Sequence, residues 1–188
     1  LQLPDRPDCP GYSFPWVGGE ATHVVIPNEV MEQDCLLAYE GETYFEGSLV
    51  EPLSCVIGAF NANYHLQEGS YNHTMGIRPQ GRTLILGGTG PMGLLAIDYA
   101  LHGPVNPSLL VITDTDNDKL SYARKHYPSE PQTLIHYLNA TDAAFDTLMA
   151  LSGGHGFDDI FVFVPTGDSR LFLAGDRWLP EFLRRTAG

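Results

Sequence analysis

A glycine-rich turn, Gly88-x-Gly90-x-x-Gly93, joins a short apolar run, Thr83-Leu84-Ile85-Leu86, to a segment of helical character, Leu94 to His102. In a turn of this kind the first glycine allows the tight bend and the second lets a diphosphate approach the backbone. The third lets the helix pack close to the strand. Free N–H groups at the start of the helix, with its dipole, favour bound phosphate. The pattern alone is common, so its surroundings decide. Here a strand precedes it, a helix follows, and the next apolar run, Leu109 to Thr113, ends in Asp114, 21 residues beyond Gly93. A carboxylate at that distance is placed to hold a ribose diol. Asp114 could instead cap a helix, because Asp116 and Asp118 crowd the same turn; ribose binding is the preferred reading. The expected cofactor-binding residues are thus Gly88, Gly90, Pro91, Met92, Gly93 and Asp114. No basic residue lies between Thr113 and Asp118, so a 2′-phosphate would meet carboxylates. NAD is expected over NADP, by about tenfold or more.

Alternation then predicts the rest of the unit. After the second strand, Asp116 or Asn117 can cap a helix from Lys119 to Tyr127. Thr133 to Leu138 reads as a third strand. Thr141 caps a helix from Asp142 to Leu151, closed by Gly153 or Gly154. Asp159 to Val164 reads as a fourth strand. Strands alternating with helices imply a parallel sheet with crossover helices, an α/β fold. Before it, Tyr44 to Tyr64 carries Leu49, Leu53, Val56, Ile57 and Phe60 at helical spacing. Pro52 falls inside and is expected to start a second helical piece. Ala21 to Pro27 is β-branched and reads as a strand, with His23 facing solvent. Residues 1–20 have loop composition, and Gly69 to Gly81 reads as a turn-rich connection.

Composition removes several function classes. Ten Lys and Arg against 23 Asp and Glu give a net charge of −13, which opposes binding to nucleic acid or an anionic membrane. No apolar run approaches the roughly 18 residues of a membrane span. No secretory leader is visible, and three widely spaced cysteines, Cys9, Cys35 and Cys55, fit a reducing compartment; a cytoplasmic protein is expected. No phosphate-loop Gly-Lys-Ser/Thr occurs. Gly167-Asp168-Ser169 follows a strand like a hydrolase nucleophile turn, but no histidine follows His155 to act as base. His65 and His73 are eight residues apart, which is no usual metal-ligand spacing, and both read as structural. Arg6, Arg78 and Arg82 belong to no motif that assigns them to a phosphate.

Several phrases carry a family likeness. Glu51-Pro52-Leu53 and the turn Gly88-Thr89-Gly90-Pro91-Met92-Gly93 resemble the zinc-dependent medium-chain alcohol and polyol dehydrogenases. Gly11-Tyr12-Ser13, Ala62-Asn63-Tyr64-His65, Ala96-Ile97-Asp98-Tyr99-Ala100 and Gly156-Phe157-Asp158-Asp159-Ile160-Phe161-Val162 narrow the likeness to the L-sorbose-1-phosphate reductase group. The resemblance implies hydride transfer between a nicotinamide cofactor and the carbonyl or carbinol of a sugar phosphate or polyol, with zinc polarising the oxygen. It implies a remnant of a GroES-like β catalytic domain at 1–53 and an incomplete Rossmann-type sheet at 54–176. Glu51 matches the family's zinc-reaching carboxylate and is the expected catalytic and metal residue. Its other reading is a carboxylate at a helix start. The zinc-binding cysteine and Gly-His-Glu segment of the family have no counterpart here, so zinc belongs to an intact parent. A non-catalytic dinucleotide-binding fragment is the alternative. Family members are commonly dimers or tetramers, which implies a possible homo-oligomer.

The likeness ends near Asp176. Residues 177–188 form an atypical tail where the family reads Gly-Cys-Leu-Asn-Phe-Phe-Ala-Gly-Pro. A codon series for Pro180 to Thr186 read one base later yields Leu-Asn-Phe-Phe-Ala-Gly, so a change of coding frame is expected there. The front likewise reads as the middle of a longer protein.

Overall fold

The computed structural model describes residues 21–66, 69–141 and 145–164. The tail, Arg6 and the Gly167-Asp168-Ser169 turn lie outside them. The chain divides into two compact units, residues 1–47 and 48–188.

In the first unit, residues 21–27 form no strand. Val24, Val25 and Ile26 have the β-branched character, but a strand needs a neighbour to complete its backbone ladder, and no pairing among the described residues involves them. Val25 is accordingly exposed. His23 faces solvent as expected, touching Thr22, though not from a strand. A short helix, α1 (Asn28–Glu32), follows.

The second unit is organised by a four-stranded parallel sheet. Its strands are β3 (Arg82–Leu86), β4 (Leu109–Asp114), β5 (Leu134–Asn139) and β6 (Asp159–Val162), in the order β5-β4-β3-β6. The four runs expected from the sequence are these strands, with ends shifted by one or two residues. The chain runs outward from β3 through β4 to β5, then returns to place β6 on the other side of β3. Strand order therefore reverses beside β3, and in open α/β sheets ligands bind at such a point, beyond the carboxyl ends of the strands.

Both faces of the sheet are covered, which explains why the strands are near-continuous apolar runs rather than alternating ones. Ile85, Leu110, Ile112, Ile135, Tyr137 and Phe161 face one side. They pack with Ala96, Ile97 and Ala100 of α3 (Pro91–His102) and with Leu120 and Ala123 of α4 (Asn117–His126). Val56 and Phe60 of α2 (Tyr44–Ala62) join the same core. Phe60 stacks on Phe161 at 4.1 Å between ring centroids and meets Tyr99 edge-on at 5.3 Å. On the other side Leu84, Leu86, Leu109 and Val111 pack with Leu148 of α5 (Phe145–Leu151) and with Phe157.

Pro52 does not divide α2, contrary to the expectation of a second helical piece. The helix continues through it, and the Ser54 hydroxyl bonds back to the Glu51 carbonyl at 2.7 Å. Asp116 is the cap of α4, accepting from the Asp118 and Lys119 amides, while Arg124, Lys125 and His126 complement the dipole at its other end. The start of α5 at Thr141 falls against residues outside the description. Its close is seen: Gly153 and Gly154 have φ of +66° and +81°, and their amides bond to Ala150 and Met149.

The Gly69 to Gly81 connection, read as turns, contains a short strand, β2 (His73–Met75), which pairs antiparallel with β1 (Tyr64–Leu66) just before it. A pair of buried carboxylates ties this region to the sheet. Asp159 accepts from the Asn63 amide at 2.8 Å and the Arg78 backbone N–H at 2.9 Å, with His65 Nε2 3.1 Å away. Asp158 accepts from the Arg82 backbone at 2.8 Å and the Arg78 guanidinium at 3.0 Å. His65 thus has a structural role, as the sequence suggested.

Candidate functional site

The turn after β3 is built by four small residues with different duties. Gly87, one residue before the expected pattern, carries the left-handed φ of +71°. The bend is therefore placed one residue earlier than the sequence reading put it. A side chain at Gly87 would also run into Val164 and Phe163 beyond β6. Gly88 is needed for space instead: a Cβ there would lie 2.5 Å from Ile112 Cγ2. At Gly93 a Cβ would overlap the backbone of Gly88, so only glycine lets α3 sit this close to the turn.

Gly90 differs from all of these. It is the N-cap of α3, with φ −76° and ψ 173°, and a Cβ built there meets nothing within 4 Å. The backbone does not require glycine at this position, and neither does the packing. What glycine preserves is open space at the mouth of a helix, beside N–H groups that lack intrahelical partners. Pro91 follows in the first turn, where its missing N–H costs no bond. The open space beside these N–H groups leaves room for an anionic group to approach the start of the helix.

Asp114, at the carboxyl end of β4, is brought to this turn directly. The Gly87 and Gly88 amides both donate to the Thr113 carbonyl, at 2.8 and 3.0 Å. The Thr89 amide and hydroxyl donate to Asp114 Oδ2, at 3.1 and 2.6 Å. Asp114 Oδ1 accepts from the amides of Thr115 and Asp116. Burial pushes the Asp114 pKa up, but the bonds from Thr89, Asp116 and Thr115 outweigh it and hold the group below its ordinary value. Asp114 is a fixed anion beside the glycine turn. It does not cap α4, since Asp116 does that.

Glu51 stands elsewhere, exposed on α2. Its Oε1 accepts from the Cys55 thiol at 3.2 Å, and that bond pushes the thiol pKa up. Two donors fall short of the three protein ligands of a catalytic zinc. Among the described residues no cluster of three histidine, cysteine, aspartate or glutamate side chains could hold a metal ion. Arg78 and Arg82, the cations that sequence left unassigned, are engaged by Asp158. A hollow of about 380 Å³ lined by Arg124, Pro128, Ser129, Ile135, His136 and Tyr137 includes none of the turn residues.

Sequence reasoning overlooked Gly87 and Thr89. Gly87 was signalled by the glycine pair itself, since two adjacent glycines leave open which one bends. Thr89 occupies a position that the pattern leaves free, and its partner lies 25 residues away.

No protein-family model matches the chain. L-sorbose 1-phosphate reductase of Klebsiella pneumoniae is 87% identical over 181 residues, covering 96% of this chain and 44% of that protein. The chain is thus similar to that reductase over nearly all of its own length. Mannitol-1-phosphate 5-dehydrogenase of Aliivibrio fischeri is 41% identical over 159 residues, covering 81% of this chain and 38% of its own length. The chain thus spans less than half the length of these relatives. Among solved structures, 2R,3R-butanediol dehydrogenase from Bacillus subtilis matches 73% of this chain and 33% of its own, with a TM-score of 0.51 and 17% identity. That match supports the α/β fold. The resemblance read from the sequence is borne out. Among the described residues, no helix is long and apolar enough to cross a membrane.

Proposed function

We propose that this chain is the dinucleotide-binding portion of an oxidoreductase that moves a hydride between a nicotinamide cofactor and a sugar phosphate or polyol. The observation that carries this reading is the open space over Gly90 beside an anchored carboxylate, Asp114. The amides at the start of α3 would hold the diphosphate, and Asp114 would accept from the ribose hydroxyls. When bound, the cofactor supplies the hydride chemistry; the chain's part is to position it. The negative cluster of Asp114, Asp116 and Asp118 favours NAD over NADP.

The substrate class rests on the names of the relatives: one is a reductase of L-sorbose 1-phosphate, another a dehydrogenase of mannitol 1-phosphate. In this reading residues 1–53 belong to a catalytic domain and 54–176 to the cofactor domain. The described residues do not assemble a zinc site, so no step is assigned to that metal. Glu51 is the carboxylate this chain would lend to one in a longer protein. The cytoplasm and a homo-oligomer are the setting and assembly we expect for that protein.

Calorimetric titration with NADH and NADPH tests the reading. NADH should bind about tenfold or more tightly than NADPH, because a 2′-phosphate would face Asp114 at close range. Absence of binding by both would refute it. Turnover of NADH with L-sorbose 1-phosphate, with and without added zinc, separates an active chain from a portion that binds cofactor but needs the rest of its enzyme. The shortage of zinc ligands among the described residues favours the second.

A further inference from the structure

Resting on the dinucleotide reading, we propose that Thr89 is a specificity-determining positioning residue: its hydroxyl holds the Asp114 carboxylate against the glycine turn, where it accepts a ribose diol and repels a 2′-phosphate. The glycine pattern assigns nothing to this position. The structure gives it a 2.6 Å hydroxyl bond to Asp114 Oδ2, and Thr89 is only 5% exposed. The other bond to Oδ2, from the Thr89 amide, is longer at 3.1 Å.

The two carboxylate oxygens are held by different means. Oδ1 is fixed by the backbone N–H groups of Thr115 and Asp116, which follow from the course of the chain. Among the described residues, Oδ2 is held by Thr89 alone. Removing the hydroxyl takes away the shortest of the four bonds and leaves Oδ2 on one longer bond, so the carboxylate is held less firmly against turning about its Cβ–Cγ bond. All four donors favour the ionised form, so losing the shortest weakens the preference for charge as well as the aim. Through the Thr113 carbonyl, which receives Gly87 and Gly88, the turn and the acid are a single unit. A diphosphate on the turn and a ribose on Asp114 are therefore presented at a fixed separation, and Thr89 is the side chain that fixes it.

The test compares the 188-residue wild type with Thr89→Val, which keeps the branched shape and deletes the hydroxyl, and Thr89→Ser, which restores it. Thr89→Ala serves if the valine variant does not fold. Two quantities are read: NADH and NADPH affinities by calorimetry across the acidic to neutral range, and the Asp114 carboxyl titration by NMR without ligand. The hydroxyl-free variant should weaken NADH binding about tenfold, as expected for a lost hydrogen bond to a charged group, with little change for NADPH. The NADH to NADPH preference should shrink by about the same factor. Asp114 should titrate at higher pH, and the acid side of the NADH binding profile should move with it. Thr89→Ser should recover both. An unchanged preference and an unchanged Asp114 titration in the hydroxyl-free variant would overturn the role of Thr89 while leaving the cofactor reading intact. A wild type that binds neither dinucleotide would remove both.

Discussion

Gly90 and Gly93 belong to one turn, and the structure gives them opposite reasons for being glycine. At Gly93 a Cβ would overlap the Gly88 backbone, which cannot yield as a side chain could. Gly93→Ala should therefore cost about 3 kcal/mol or more of folding stability, at the upper end for overpacking. At Gly90 a Cβ meets nothing and the backbone is unstrained. Alanine is a poorer N-cap than glycine, yet it restricts the unfolded chain by a comparable amount. Gly90→Ala should thus leave stability within about 1 kcal/mol of wild type. Its methyl group would stand where an anionic group approaches the helix start. Displacing one charge-assisted hydrogen bond loses about 1.5–3 kcal/mol, or roughly tenfold to a hundredfold in NADH affinity. Urea unfolding and calorimetric titration of the two variants provide the assay. A Gly90→Ala protein that folds like wild type and binds NADH equally well would refute the phosphate role of that space. A Gly90→Ala protein that unfolds readily would refute the claim that the position is structurally free.

Asp114→Asn should reduce NADH affinity about tenfold by removing the charge that accepts the ribose hydroxyls, read by titration calorimetry. Because the folded pKa of Asp114 is depressed, its stabilising contribution is present above the ordinary carboxylate range and is lost as pH falls through the folded value. Wild-type stability should therefore drop on acidification more steeply than that of Asp114→Asn, as denaturant melts at several pH values would show. Asp158→Ala should destabilise by about 1–3 kcal/mol, since it removes the buried acceptor of the Arg82 backbone N–H and of the Arg78 and Arg82 guanidiniums. Phe60→Ala should cost about 3–5 kcal/mol by opening a cavity between α2 and the sheet, seen as a lowered melting temperature.

The parallel sheet was legible because its central strands, β3 and β4, are buried on both faces and read as apolar runs between turn residues. Leu109 to Thr113 needs no distant information to be recognised. The same local logic identified Asp116 as a possible cap and Gly153 and Gly154 as helix stops. It failed where a partner decides the outcome. Val24-Val25-Ile26 has strand composition but gains no neighbour among the described residues, while Tyr64–Leu66 and His73–Met75 are short, largely exposed strands that exist because they pair with each other. Pro52 was read by its usual preference for a helix start, and α2 carries it inside. At the candidate site the glycines and Asp114 were visible as a spacing. The Thr89 bond was not, because a spacing shows which elements meet and not which side chains join across them. The engagement of Arg78 and Arg82 by Asp158 was hidden for the same reason.

The central claim is that the Gly88–Gly93 turn and Asp114 receive a nicotinamide dinucleotide. A ¹⁵N-resolved NMR titration of the chain with NADH addresses it at residue level. The account predicts saturable shifts concentrated at the amides of Gly88, Thr89, Gly90, Met92 and Gly93 and at Asp114. Shifts confined to the hollow beside Arg124 and Tyr137, or no saturable shifts at all, would contradict it.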